Sequence, residues 1–234
     1  MVSGSAWKDP SVARNFVDER RRAIPFGEEQ LQVMLEVVHH FRPAPTRIID
    51  LGCGDGILAR LLLDRYPAAS AVLVDHSPPM LERAREAMAA YGDRCEIRQG
   101  DLGAPIVELC GGLADIVVSG YAIHHLPHER KRSLYGEIYD RLSPSGLFVN
   151  VEHVASATRE LEILFEERYI DHIAACTGKL REAVAAAYHG RLDKADNILA
   201  PLEQQLGWLR EIGFGQVDCY FKWAVLAVFG GVRP

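Results

Sequence analysis

The stretch Arg47-Ile-Ile-Asp-Leu-Gly-Cys-Gly-Asp-Gly56 constrains this chain more than any other. Ile48, Ile49 and Leu51 form the short apolar run expected of a strand buried on both faces. Glycines then alternate at Gly52, Gly54 and Gly56. Glycine takes positive φ at little steric cost and lets a ligand approach the main chain. A second apolar run, Ala71-Val-Leu-Val-Asp75, ends in an acid. A glycine turn leaving one strand, followed by an acid closing the next, is the plan of a nucleotide site on a parallel α/β sheet.

The turn is not the pyrophosphate-binding form, which needs G-x-G-x-x-G with phosphate on a helix N-terminus. Here acids stand among the glycines, at Asp50 and Asp55. An acidic turn repels phosphate and receives an ammonium group. A nucleoside carrying an amino acid, such as S-adenosylmethionine, fits this pattern. Asp50 would lie near the amino group, the glycine backbone against the ligand and Asp75 on the ribose hydroxyls. The plainer alternative is a tight strand–helix connection that binds nothing.

At 234 residues and 48% hydrophobic content, the chain suits one large α/β domain with a sizeable core. Helical character is expected over residues 11–22. Leu31, Met34, Leu35, Val38 and Phe41 recur at helical spacing over residues 27–41. Strands are expected at 47–51, 71–75, 95–98, 114–119 and 147–151. Helices follow at 57–66, from Pro78 with Ser77 as N-cap, and from His128 through Leu142. Ser143-Pro-Ser-Gly146 reads as a turn. Five strand–helix alternations by residue 151 predict a Rossmann-like, doubly wound, mostly parallel sheet. The rhythm then changes to two helices, near 159–176 and 180–188, read as a helical cover inserted over the carboxyl edge. A helix at 201–212 and two β-like runs, 216–223 and 224–229, predict an antiparallel C-terminal hairpin that completes seven strands. The parts are N-terminal helices (1–42), a cofactor-binding core (43–152), the cover (153–200), and the final helix and hairpin (201–234).

Several classes are disfavoured. No apolar run is long enough to cross a membrane, and residues 1–7 carry neither a basic start nor an apolar core of a signal. Five scattered cysteines without a C-x-x-C pair fit reduced cytoplasm rather than a disulfide framework or zinc ribbon. A net charge of −6 argues against a nucleic-acid grip. The basic runs Arg20-Arg-Arg22 and Arg130-Lys-Arg132 read as solvated helix faces, and His39-His40 as helix surface. No metal site is expected from His124, His125, His128 and His153, which have no cysteine partner and no paired-histidine helix motif.

Together, Asp50-Leu-Gly-Cys-Gly-Asp-Gly56, Val74-Asp-His-Ser-Pro-Pro-Met-Leu81, Gln99-Gly-Asp101, Asp115-Ile-Val-Val-Ser-Gly-Tyr-Ala-Ile-His-His-Leu126 and Leu142-Ser-Pro-Ser-Gly146 resemble class I S-adenosylmethionine-dependent methyltransferases. Trp208-Leu-Arg-Glu-Ile-Gly-Phe214 and the paired strands resemble that family's last helix and hairpin. Within it, Phe16-Val-Asp-Glu-Arg20, Ile24-Pro25, residues 75–83 and Phe221 are similar to small-molecule methyltransferases related to carboxy-S-adenosylmethionine synthase. Gly120 stands where that synthase has an asparagine. Arg191 lies near the arginine the synthase uses for its product's extra carboxylate.

The resemblance implies S-adenosylmethionine as cofactor and S-adenosylhomocysteine as product. It implies that Asp50, Gly52, Cys53 and Gly54 line the methionine part and that Asp75 takes both ribose hydroxyls. His76 and Met80 would flank the adenine, with Asp101 and the Leu102 amide at its edge. The backbone of Ser119 and Gly120 would approach the sulfonium. Tyr121, His124 and His125 are the catalytic candidates, with Glu152 and His153 nearby. Because neighbouring residues at a strand exit point apart, only one of His124 and His125 is expected to face the acceptor. Glu166, Arg168, Tyr169, His172, Tyr188, Arg191 and Asp193 are the cover's candidates for choosing it. The expected function is methyl transfer to a small-molecule acceptor by in-line displacement, with a homodimer admitted. The alternatives are a carboxy-S-adenosylmethionine-synthase-like enzyme acting on the cofactor itself, and a non-catalytic cofactor-binding module.

Overall fold

Ile48 and Ile49 point to opposite faces of their strand, and both are fully buried. Ile48 packs into a core with Met34, Val38, Leu58 and Leu62. Ile49 packs into another with Leu134, Ile138, Leu206 and Leu209. A sheet covered on both faces follows from that one dipeptide.

A computed structural model of the chain describes residues 8–10 and 23–234; the helix expected over 11–22 and the Phe16–Arg20 motif lie outside the described residues. The strands are β1 (Arg47–Leu51), β2 (Ser70–Asp75), β3 (Cys95–Gln99), β4 (Ala114–Gly120), β5 (Leu142–His153), β6 (Gly215–Trp223) and β7 (Leu226–Val232). Their spatial order is β3-β2-β1-β4-β5-β7-β6. The first five are parallel, and β7 runs antiparallel to both β5 and β6. The helices are α1 (Gly27–Phe41), α2 (Ile57–Arg65), α3 (Pro78–Met88), α4 (Val107–Cys110), α5 (His128–Arg141), α6 (Arg159–Thr177), α7 (Arg181–His189) and α8 (Leu202–Ile212). Helices α1, α2 and α3 cover one face, and α4, α5 and α8 the other. This is a Rossmann-like α/β fold with an antiparallel C-terminal pair. Strand order reverses between β1 and β4, so a crevice opens at their carboxyl ends.

Local chemistry accounts for the boundaries. Ser77 Oγ accepts from the Met80 N–H at 3.4 Å, starting α3 where Pro78 has no N–H to lose. The stripe Met80, Leu81, Ala84 and Met88 is buried. The end of α5 differs from expectation. Leu142 leaves the helix and pairs with Ala114 of β4, after which Ile116 pairs with Leu147. The Ser143–Gly146 turn is therefore an irregularity inside one long strand, with Ser145 at φ 60°. It closes so tightly that a Cβ on Gly146 would lie 2.7 Å from the Ser143 carbonyl oxygen.

The cover has a core of its own, in which Ile170 of α6 meets Val184 and Tyr188 of α7. Among the described residues no helix is long and apolar enough to cross a membrane.

The basic run on α5 overturns its solvated reading. Lys131 is 1% exposed. Its Nζ donates to the carbonyl oxygens of His124 (3.3 Å), Leu126 and Ile198 (2.6 Å). Arg130 donates to the Leu102 carbonyl at 2.7 Å and pairs with Glu137. Only Arg132, paired with Glu211, stays at the surface. Lys131 thus ties the loop after β4 to the chain entering α8. Lys131→Met should lower the unfolding free energy by on the order of 2 kcal/mol, because buried carbonyls lose their donor. Urea denaturation measures this; an unchanged midpoint would remove the structural role.

Candidate active site

The loops leaving β1 and β4 meet over the crevice. Gly52, Gly54 and Gly56 hold φ of 69°, 56° and 84°. A Cβ on Gly52 would sit 2.2 Å from that of Ala122. The Gly52 and Cys53 N–H groups donate to the Val74 carbonyl, at 2.7 and 3.0 Å. The glycine turn is thereby fastened to β2 just before Asp75.

Asp75 is buried, and its carboxylate is pinned from both sides. Oδ1 accepts from the Ser77 N–H at 2.8 Å, and Oδ2 from the Gly54 N–H at 2.9 Å. The His76 N–H donates to the same carboxylate, whose two oxygens together can accept about four bonds, so capacity remains for a ligand hydroxyl. Burial raises its pKa, and these backbone donors oppose the rise. A cavity of about 80 Å³ collects Gly52, Gly54, Asp75, His76, Met80, Asp101, Leu102, Gly120, Tyr121 and His125. Asp101 Oδ1 also accepts from the Gly103 N–H at 2.7 Å, so the residue caps its own turn as well as lining the cavity.

A second cavity, of about 730 Å³, is lined by Asp50, Gly52, Cys53, Gly54, Gly120 and Tyr121, and by His172 and Cys176 of α6. Asp50 is fully buried. Its Oδ2 accepts from the Ala59 N–H at 3.1 Å, while Oδ1 has no partner. Burial, aided by the charges of Asp75 and Asp55, pushes its pKa up to about 7. A buried, unpartnered carboxylate oxygen is costly. An ammonium group is the ligand chemistry that satisfies it. The residues present therefore fit an aminoacyl nucleoside: hydroxyl acceptors at Asp75 in one cavity, an ammonium acceptor at Asp50 in the other, and glycine backbone shared by both.

Beyond Tyr121 lies a histidine cluster. His124 and His125 sit on a short turn, Ile123–His125, and both are buried. Glu152, at the end of β5, grips His124 twice. Its Oε2 accepts from the His124 N–H at 2.9 Å, and its Oε1 lies 2.6 Å from His124 Nδ1. Oε1 also accepts from the His153 N–H at 2.7 Å. A proton must lie between Nδ1 and Oε1 at that distance, and the Asn197 side chain faces the same ring. Burial, with the charges of Lys131 and Arg191 next, lowers the His124 pKa to about 3. Burial raises that of Glu152 to about 7. His124 lines a chamber of about 60 Å³ with Tyr121, His153, Tyr169, Tyr188, Arg191 and Asp193. His125 points elsewhere: it lines the first cavity, and its Nδ1 lies 3.2 Å from the Asp196 carbonyl oxygen.

Tyr121 borders all three spaces. It holds φ 52°, costly for an aromatic residue and common at functional sites. Its N–H donates to the Val151 carbonyl at 2.8 Å, and its hydroxyl to Gln30 Oε1 at 2.6 Å.

Of the residues singled out from sequence, Ser119 stands apart. It is fully buried, and its Oγ donates to the Leu51 carbonyl at 2.7 Å. Arg168 is exposed on α6. Tyr169, Tyr188, Arg191 and Asp193 border the His124 chamber, Glu166 a neighbouring cavity, and His172 the second cavity. Gln30 and Asn197 escaped sequence reasoning, because each faces a residue remote in the chain, Tyr121 and His124, and belongs to no motif.

Residues 48–146 match a family described as "Methyltransferase domain". Carboxy-S-adenosyl-L-methionine synthase of a Nitratiruptor species is 28% identical over 229 residues, covering 96% of this chain and 92% of that protein. The protein of the same name from Desulforapulum autotrophicum is also 28% identical, covering 96% and 90%. An O-methyltransferase family protein from Burkholderia thailandensis has a similar fold, with TM-score 0.63 at 20% identity, over 94% of this chain and 61% of that one. Human N-acetylserotonin methyltransferase, solved with S-adenosylmethionine, gives TM-score 0.64 at 15% identity, over 97% and 57%. The chain thus spans about three-fifths of the solved structures it resembles.

The buried acid sets a stability prediction. In the unfolded chain Asp50 ionises near 3.8, and in the folded protein near 7. Folding then takes up a proton between these values, so this group lowers stability as pH rises from about 4 to about 7. Buried His124, His125 and His153 act in the opposite sense, losing stability as pH falls below their unfolded value of about 6.5. Comparison with Asp50→Asn isolates the acid. The variant should gain on the order of 3 kcal/mol relative to the parent between pH 4.5 and 8, by urea unfolding of ligand-free protein. A pH-independent difference would contradict the burial assigned to Asp50.

Proposed function

We propose that the chain is a class I S-adenosylmethionine-dependent methyltransferase and that it methylates a hydroxyl group of a small-molecule acceptor, with His124 as the proton acceptor. The observation that carries this reading is the double grip of Glu152 on His124.

S-adenosylmethionine, when bound, supplies a methyl group already activated by its sulfonium. The chain's residues supply binding, orientation and proton handling. Asp50 receives the ammonium on its unpartnered Oδ1, and Asp75 receives the ribose hydroxyls. His76 and Met80 flank the adenine, with Asp101 and the Leu102 amide at its edge, all in the first cavity. Gly52, Gly54, Gly120 and Tyr121 border both cofactor cavities, so the reacting centre lies against them. A hydroxyl has a high pKa and needs a base as it is methylated. Burial keeps the His124 ring neutral, and in this reading Nε2, beside the Asn197 side chain, takes that proton. Glu152 fixes the tautomer and faces the imidazolium that forms. The five cysteines are free thiols, in keeping with work in the cytoplasm.

Arg191 favours a second reading. Its guanidinium borders the His124 chamber, pairs with Asp193 at 2.6 Å and lies 5.5 Å from the centre of the Tyr188 ring. In this reading the guanidinium receives a carboxylate beside Asp193, and the relatives named carboxy-S-adenosyl-L-methionine synthase support such a substrate. That reading predicts a cofactor heavier by a carboxyl group after incubation with prephenate; unchanged cofactor excludes it.

His124→Ala should lower kcat on a hydroxylated acceptor by about 10²- to 10⁴-fold while leaving S-adenosylmethionine affinity within about threefold. The parent's kcat should rise with pH through about 7 as Glu152 ionises, and Glu152→Gln should flatten that rise. Full activity in His124→Ala would exclude the base. Asp75→Ala should lose most cofactor affinity in calorimetry while melting cooperatively; unchanged affinity would refute the ribose assignment.

A further inference from the structure

Three spaces meet at Tyr121, and a fourth opens beyond the His124 chamber. The cavity beneath the cover, about 310 Å³, is walled by β5 at His153, by α6 at Phe165 and Glu166, and by Tyr188 of α7. It shares His153, Tyr188, Arg191 and Asn197 with the His124 chamber. That chamber shares Tyr121 with both cofactor cavities. The cavity under the cover shares no lining residue with either of them.

Its charges already have partners. Lys194 pairs with Glu166, Arg191 with Asp193 at 2.6 Å, and Glu162 with Arg159 at 2.9 Å. What remains unsatisfied is uncharged. Ser156 Oγ is buried without a hydrogen-bond partner. Asn197, whose side chain faces the His124 ring, likewise leaves Oδ1 with none of hydrogen-bonding geometry. A carboxamide oxygen only accepts, so its ligand must donate. Phe165 and Tyr188 add aromatic walls. Hydroxyls on a ring match this set better than an ion does.

Resting on the hydroxyl-methylation reading, we infer that the cavity under the cover is the acceptor site and that it takes a polyhydroxylated ring, reaching His124 from the side away from the cofactor. A polyphenol and a sugar share that chemistry. Ser156 and Asn197 hold the distal hydroxyls while another hydroxyl enters the His124 chamber. Tyr121 is the partition against which that hydroxyl and the cofactor meet.

The test uses full-length protein saturated with S-adenosylhomocysteine and two probes, quercetin and methyl glucoside, titrated by calorimetry. One of the two should bind. Ser156→Phe, which fills the cavity, should weaken that binding more than tenfold and leave S-adenosylhomocysteine affinity within twofold. Ser156→Ala, which keeps the packing, should weaken it about two- to tenfold, the worth of one neutral hydrogen bond. Binding of neither probe, or binding indifferent to Ser156→Phe in a protein that melts as the parent does, overturns the site. If a probe is methylated at full rate by Ser156→Phe, the transfer reading stands and the site falls. If binding follows the expected pattern but S-adenosylmethionine yields no S-adenosylhomocysteine with either probe, the site stands and the transfer reading falls.

Discussion

The contact between Gly52 and Ala122 governs the geometry of this molecule. It brings the loop that leaves β1 against the loop that leaves β4, so closely that no side chain fits between them. Ser119 reinforces it with a hydrogen bond to the Leu51 carbonyl. The Val74 carbonyl fixes the first loop to β2, and Glu152 fixes the second to β5. Four neighbouring strands therefore hold one crevice at fixed width. On one side are the acids Asp50 and Asp75; on the other is His124. Positioning is most of what a displacement at an activated carbon needs from its enzyme.

That geometry is held by polar groups buried at a cost to stability. Asp50 and Glu152 are fully buried carboxyls with pKa values pushed to about 7. Three imidazoles beside them are lowered to about 3. Lys131 lies under the same loop, lowered to about 8 by burial. Such a cluster is poor design for stability alone. Perturbed buried groups of this kind are typical of functional sites, and the proposed roles give one carboxyl a ligand's ammonium and the other a protonated ring to face. Tyr121 adds a strained backbone at the meeting point of the cavities.

The sheet and its glycine turn were legible because their causes are local. Apolar runs mark strands buried on both faces, alternating glycines mark the β1 turn, and Ser77-Pro78 marks a helix start. The family resemblance, the Rossmann-like fold and the cofactor were read from the same motifs. The region around His124 was less legible, because its causes are distant. Glu152 meets His124 across 28 positions, and Lys131 reaches Ile198 across 67. The Arg130–Arg132 run looked solvated since nothing nearby reveals the three carbonyls waiting for Lys131. Helix α6 has apolar residues around its circumference, leaving Leu161, Ile163 and Leu164 exposed, so its inward face carried no periodic signal. The Ser143–Gly146 turn was visible, but its absorption into β5 depended on pairing with β4.

The account turns on where the methyl group goes. Purified protein would be given S-adenosylmethionine with an isotopically labelled methyl and a panel of hydroxylated ring compounds, and the products resolved by mass spectrometry. The account predicts the label on an acceptor oxygen, with an equal amount of S-adenosylhomocysteine. A label that stays on sulfur while the cofactor gains a carboxyl group, or one that appears on nitrogen or carbon, would contradict it.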